Sequence, residues 1–271
     1  MIVLSQALAL SLAAAPDADN PVFGWKSIVH AAGIAADSAL PQYPASNLAN
    51  PATNEIWKSE TADLQYLTVT IEEVSLFDCV ALARHNFGTA EIAVSLEKRV
   101  GVEWEELIPP FLPPDDSPVM MRVPKQGIDE GQLRIGLSPQ REIPPRAAVL
   151  FVGELLVMER SFPQEFTPLP HANRVTVAQD VSDGGELLGA IVLNETQATS
   201  ISFQMLDAAW YRAHMAPFVK EANRKKPFFF AANPQSQPHE AAYAWFEEAA
   251  QPVFKPEFDA ADISIQLRAV S

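Results

Sequence analysis

Gln65-Tyr-Leu-Thr-Val-Thr-Ile71 alternates between apolar and polar side chains. Leu67, Val69 and Ile71 fall on one face and Thr68 and Thr70 on the other, the pattern of a strand buried on one side. The same rhythm returns in residues 90–96 (AEIAVSL), with Ile92, Val94 and Leu96 facing inward. Residues 77–84 (FDCVALAR) are small and branched enough for the centre of a sheet, and residues 102–107 continue as a hairpin partner through Gly101. Residues 120–123, 132–137 and 146–158 follow, separated by loops of Pro, Asp and Gly. About seven short strands with turn signals between them predict an antiparallel sandwich over residues 20–158.

The rest of the composition agrees. The chain has 271 residues, with 23 Pro and only 11 Gly. Proline this frequent favours short strands over long helices. Glycine-rich phosphate loops are correspondingly absent: the sequence contains neither G-x-G-x-x-G nor G-x-x-x-x-G-K-[ST]. Nineteen Lys and Arg against 34 Asp and Glu give a net charge of −15. Both halves share the excess, so no basic module is hidden behind an acidic one. That balance opposes nucleic-acid binding, which needs cationic surface to displace counterions.

Near Arg160 the texture changes. Residues 159–173 contain the run SFPQEFTPLP and read as a Pro-rich connector. Residues 174–271 then form a strand-dominated α+β domain with one helix. Its strands are expected at 174–179, 227–232 (PFFFAA), 241–246 (AAYAWF) and 263–270 (ISIQLRAV). Residues 187–193 and 199–206 read as a hairpin joined through 194–198. The helix spans 207–223, with Asp207 as its cap, Trp210, His214, Phe218 and Ala222 one turn apart, and Pro217 as a kink. At the other end, residues 1–19 open with MIVLSQALALSLAAA, which has no charged side chain and is too short for a membrane span. It lacks the basic residues that precede the apolar run of a signal peptide. These residues either cover their own domain or form an apolar arm that docks on a neighbour, removable without unfolding the monomer.

No constellation of catalytic residues stands out. His30, His85, His171, His214 and His239 are scattered and form no HxH or HExxH pair, so neither a metal site nor a cofactor is expected. G-x-S-x-G is absent. Cys79, the lone cysteine, lies inside a strand, where a thiol behaves as a small apolar group. Glu103, Glu105, Glu106, Asp115 and Asp116 supply carboxylates for glycoside hydrolysis, but an acidic chain produces such neighbours as a solvated face. Arg224-Lys-Lys226 ahead of Phe228, Phe229 and Phe230 reads as a helix end followed by core aromatics.

One ordered series of motifs is more specific. Tyr43-Pro-Ala-Ser-Asn-Leu48 is followed by Asn50-Pro-Ala-Thr53, Ile56-Trp57-Lys58-Ser59, the strand at 65–71, Phe77-Asp78-Cys-Val-Ala-Leu82 and His85-Asn86. Over residues 40–96 this resembles the first half of discoidin-like (galactose-binding-like) jelly-roll domains found in bacteriophage tail proteins. Read from the residues alone, Asn47 anchors a loop, Trp57 plugs one end of the sandwich, and His85 and Asn86 hold a strand end. The resemblance implies a virion component near the tail tip of a phage or gene transfer agent: a distal-tail, minor tail or fibre-attachment protein. Such a protein is structural, not an enzyme. It assembles into a symmetric oligomer with copies of itself and with other tail proteins, without nucleic acid or membrane insertion. The calcium and sugar ligands of discoidin lectins have no counterparts here. Two rivals remain: a module that binds host surface glycan through exposed aromatics such as Phe87, Trp104 or Phe111, and a glycan hydrolase.

Overall fold

The computed structural model describes residues 1–13, 15–128, 131–161 and 165–269. It divides into two compact units. Unit 1 comprises residues 1–161 and 228–241, and unit 2 comprises residues 162–227 and 242–271. The boundary expected at residue 159 therefore falls at Ser161. The return of 228–241 to unit 1 is invisible to any boundary drawn once along the chain.

In chain order, unit 1 holds β1 (Ile2–Leu4), the helix α1 (Gln6–Leu12), β2 (Val22–Gly24), β3 (Ile34–Ala36), β4 (Trp57–Lys58) and β5 (Gln65–Ile71). Next come β6 (Ser75–Ala83), β7 (Ile92–Val100), β8 (Glu103–Phe111), β9 (Val119–Ile128) and β10 (Gly131–Pro139). The short strands β11 (Arg146–Ala147), β12 (Val149–Gly153) and β13 (Leu156–Val157) complete the run. Two sheets face each other, one in the order β1-β9-β6-β12 and the other β3-β5-β10-β7-β8. Leu67, Val69 and Ile71 of β5 and Ile92, Val94 and Leu96 of β7 all point into the shared core, as the alternation requires. They meet Phe77, Val80 and Leu82 of β6 and Met121 and Val123 of β9. The fold is a β-sandwich. The single stretch expected at 146–158 is instead three short strands, each in a different sheet. Gly153 marks one of these breaks, where a Cβ would lie 2.4 Å from the Lys26 carbonyl oxygen.

The apolar leader is split by the structure. Ile2, Val3 and Leu4 pair in parallel with Met120, Met121 and Arg122 of β9, so the first residues belong to the sandwich. Removing them would strip an edge strand from the sheet, which the expectation of a detachable arm did not foresee. Helix α1, capped by Ser5, buries no residue and leaves Leu10 exposed.

Unit 2 holds β14 (Asn173–Val181), β15 (Leu187–Asp207), a helix over residues 208–222 (α2), β18 (Pro252–Lys255) and β19 (Ala260–Ala269). The strand β16 (Phe228–Ala231) pairs with β2 in unit 1, and β17 (Ala241–Phe246) pairs with β19 through Ala244, Trp245 and Phe246. The sheet of unit 2 runs β17-β19-β15-β14, with β18 also on β19. The expected hairpin between 187–193 and 199–206 does not exist: β15 is one continuous strand of 21 residues. Asn194-Glu-Thr-Gln-Ala198 is polar but holds no Gly or Pro, and a two-stranded ladder tolerates it. The true turn is Ser182-Asp-Gly-Gly185, where Gly185 takes a φ of +85°.

Asp207 caps α2 as expected, accepting from the Trp210 amide at 2.7 Å. A π-turn over Tyr211–Met215 precedes Pro217, which has no amide proton to donate into the helix. The wider turn rotates the buried face to Tyr211, Met215, Phe218 and Ala222, leaving His214 exposed and Trp210 half-buried. The basic cluster is consumed locally. Lys225 donates to the Phe246 carbonyl at 2.9 Å and also to that of Glu247, while Arg224 and Lys226 pair with Glu221.

Gly88 is a close-approach position: a Cβ there would lie 2.3 Å from backbone atoms of Asp115. Gly88→Ala is expected to lower unfolding free energy by ~2 kcal/mol or more, because backbone must shift. Gly127→Ala, with nothing within 4 Å of its Cβ, is expected to change it by less than ~0.5 kcal/mol. Urea unfolding of both variants checks the pair.

Candidate functional site

The motif residues of the sandwich are latches. Asn47 sits in a 3₁₀ turn (Ala45–Ala49) and its amide donates to the Ile56 carbonyl at 2.9 Å, fixing the loop that delivers Trp57. Trp57 is fully buried and donates its indole N–H to the Ser38 carbonyl at 3.1 Å. Asn86 clamps one loop twice: its Nδ2 donates to the Pro144 carbonyl at 3.1 Å and its Oδ1 accepts from the Arg146 amide at 2.9 Å. His85 accepts from the Phe87 amide at 3.2 Å and stacks on the Phe87 ring with centroids 4.2 Å apart. Burial pushes the His85 imidazole down to about 4, against the opposing pull of Asp116, so it is neutral at physiological pH.

The three aromatics considered for glycan contact part ways. Phe87 is fully buried beneath His85 and has no face for a ligand. Phe111 packs against the core. Trp104 remains on the outer face of the five-stranded sheet, where the Arg134 guanidinium lies 4.2 Å from its ring centroid and 4.2 Å from that of Tyr66. Glu97 holds the same guanidinium through Nε at 2.7 Å. This stack holds Trp104 half-buried on the outer sheet face, with the guanidinium over its ring.

The carboxylates do not converge. Asp116 accepts from the Thr89 amide and hydroxyl at 2.9 and 2.7 Å. Asp115 accepts from the Ser117 amide at 2.9 Å; burial raises its carboxyl, but the bonds from Ser117 outweigh that and leave it below the usual range. Glu103, Glu105 and Glu106 are exposed on β8. The exception is Asp78, raised to about 6 by burial, with the bond it accepts from the Leu155 amide at 2.8 Å only partly offsetting the shift. Cys79 beside it is fully buried, and burial raises its thiol out of the reactive range. Among the described residues, no group of three His, Cys, Asp or Glu could hold a metal ion, and no helix is long and apolar enough to cross a membrane.

The most exposed apolar feature lies in unit 2. Every residue from 173 to 193 is exposed or sits in the turn between β14 and β15. In the ladder Val175 faces Glu195, Val177 faces Val192, Gln179 faces Ala190, and Val181 faces Leu187. Directly opposed residues share a face. One face of this ribbon therefore carries Val175, Val177, Val181, Leu187 and Val192, whose exposures run from 44% to 64%. The other face carries Arg174, Thr176, Ala178, Asp180, Asn194 and Thr196, with Ile191 as its large apolar residue. The ladder shifts register near Leu188 and Leu193, both also exposed. From Asn173 to Thr196 the ribbon has no strand on either edge among the described residues, because β19 pairs only with Gln197 and later residues of β15. The strand at 174–179 is legible from its alternation. The arm itself is signalled by Asp183-Gly-Gly185 between two alternating runs, a stronger hairpin mark than the polar stretch 194–198.

No protein-family model and no curated protein matches the sequence. Among solved structures, the chain is similar to a variant of chitosan-binding module 1 from the chitosanase/glucanase of Paenibacillus sp. IK-5. That match has a TM-score of 0.41 at 11% identity and covers 47% of this chain and 98% of the module. A Streptococcus pneumoniae fucose binding module gives a TM-score of 0.35 at 14% identity, covering 48% of this chain and 96% of that one. The Ruminococcus gnavus GH29 fucosidase gives 0.39 at 14% identity, covering 49% of this chain, which spans 27% of the fucosidase. Scores of this size assign no ligand to this chain.

Asp78 supplies a pH test of the electrostatics. Its folded value of about 6 exceeds the unfolded 3.8, so the ionised carboxylate is penalised in the folded state above pH 6, and the penalty fades as pH falls toward 4. Asp78→Asn removes the charge and keeps an acceptor for Leu155. The variant is expected to be more stable than the parent at pH 8, by at most about 3 kcal/mol, with the gap shrinking to ~0.5 kcal/mol at pH 4 and closing below it. Thermal unfolding of both proteins across that range checks the sign.

Proposed function

We propose that this chain is a non-catalytic assembly protein that joins its neighbours through the β14–β15 arm. The exposed strip Val175, Val177, Val181, Leu187 and Val192 carries this reading. An isolated two-stranded ribbon is marginal in water, and an uncovered apolar strip of this kind marks an interaction surface. Covering the exposed half of one such side chain contributes about 1 kcal/mol. Two arms together supply roughly 10 kcal/mol, comparable with the ~4–15 kcal/mol cost of association. The arm therefore drives a moderate interaction, which multiple contacts in a larger assembly would strengthen.

The finer reading is a structural component of a bacteriophage tail tip, located in the virion and bound to copies of itself and to other tail proteins. The ordered run from Tyr43 to Asn86 supports it through its resemblance to tail-associated discoidin-like domains. Val177→Lys/Val192→Lys is expected to turn an oligomer into a monomer whose near-ultraviolet circular dichroism, which reports core packing, is unchanged. Light scattering after size exclusion reads the mass, and a parent protein that is monomeric at tens of micromolar contradicts the assembly reading. Mass spectrometry of purified particles tests the tail placement separately; absence of the chain from virions removes it.

A second reading, glycan binding, rests on Trp104, half-buried on the outer sheet face and held there by Arg134 beside Tyr66. A glycan array showing specific binding that Trp104→Ala abolishes supports it. Binding unaffected by that substitution removes Trp104 from the account.

A further inference from the structure

Strands β4 and β11 of unit 1 form a two-rung ladder in which Trp57 faces Ala147 and Lys58 faces Arg146. Trp57 and Ala147 are fully buried, so alternation turns Lys58 and Arg146 away from the core. The Lys58 amide donates to the Tyr43 carbonyl at 3.3 Å, and the Arg146 amide donates to Asn86 Oδ1 at 2.9 Å. The two residues therefore exchange no backbone bond. In rungs of this type facing side chains stand closest, with Cβ atoms ~5 Å apart.

Two cations are thus set opposite each other, an arrangement that is destabilising without a counter-charge. Elsewhere Lys125, Arg134, Arg141 and Lys255 each hold a carboxylate. Lys58 and Arg146 make no ion pair and no side-chain hydrogen bond among the described residues, and no described carboxylate comes within 4.0 Å of either charge. In a chain with 34 acidic residues against 19 basic ones, a facing cationic pair without a carboxylate is an exception. The backbone beneath the pair is fixed. Asn86 also donates to the Pro144 carbonyl, and buried Ser59 donates its amide to the Pro145 carbonyl and its hydroxyl to that of Thr61.

We propose that Lys58 and Arg146 bind one phosphate group, a site independent of the assembly reading. A phosphate monoester carries a charge of about −1.5 to −2 at neutral pH, so one group answers both cations, whereas a carboxylate leaves one unanswered. The guanidinium offers a planar pair of N–H donors to two phosphate oxygens, and the ammonium adds a point charge. The net charge of −15 opposes a polyanion, so the group arrives singly, on a small ligand or as the free ion.

Nuclear magnetic resonance of the 271-residue chain, titrated with inorganic phosphate at constant ionic strength, tests this. Saturable shifts at Lys58 and Arg146 are expected, with a Kd of about 1 mM for two charge-assisted bonds. Lys58→Gln/Arg146→Gln is expected to abolish saturation while the amides of β5 and β7 keep their positions. Arg146→Gln alone, at an exposed residue, is expected to weaken binding by about fivefold or more. Shifts that stay linear to ~50 mM overturn the site, as does saturation that is unchanged in both variants. Acetate bound as tightly as phosphate overturns the assignment to phosphate. Glucose 6-phosphate bound more tightly than inorganic phosphate supports a group carried on a ligand; the reverse order supports the free ion.

Discussion

An aliphatic strip held in water is the constraint around which unit 2 is organised. The ladder between β14 and β15 satisfies backbone hydrogen bonds but leaves about half of Val175, Val177, Val181, Leu187 and Val192 in water. Ribbons with free edges and apolar faces are prone to uncontrolled association. This one limits that hazard by concentrating its large apolar residues on one face, by acidic residues at the tip, and by two register shifts that disrupt the β15 edge. Its free energy is lowered only when another surface arrives. On the proposed reading it is a contact element, and such an element needs a firm base.

The base is conventional packing. β15 runs on past the arm into full pairing with β19, burying Ile201, Phe203 and Leu206. Helix α2 packs its Phe218 edge-on against Phe246 of β17 at 5.6 Å. Unit 1 follows the same logic without an arm. Asn47 and Asn86 spend their side-chain amides on loop backbone, and the core closes over Trp57. Buried polar groups that are satisfied in this way rigidify loops.

Periodicity made the sandwich legible. Leu67, Val69 and Ile71, and Ile92, Val94 and Leu96, are buried on the face their spacing dictates. The loop roles of Asn47 and Asn86 and the buried plug at Trp57 were legible too, because those residue types have few other ways to be satisfied inside a β-rich domain. What escaped was non-local. The parallel strand β1, the return of β16 to unit 1 and the split of residues 146–158 depend on partners more than a hundred residues away or on backbone contacts at Gly153. Phe87 looked available because it follows a strand, yet the loop turns it inward beneath His85. The arm was missed for a related reason: alternation shows that one face is apolar, but not that the same chain leaves it uncovered.

Amide hydrogen exchange across residues 173–196, followed as a function of protein concentration, tests the central claim most directly. If the apolar face is closed by another copy, exchange in this segment slows progressively as concentration rises while the amides of β5 and β7 stay unchanged. Exchange in the arm that remains fast and identical from the lowest to the highest concentration would contradict the account.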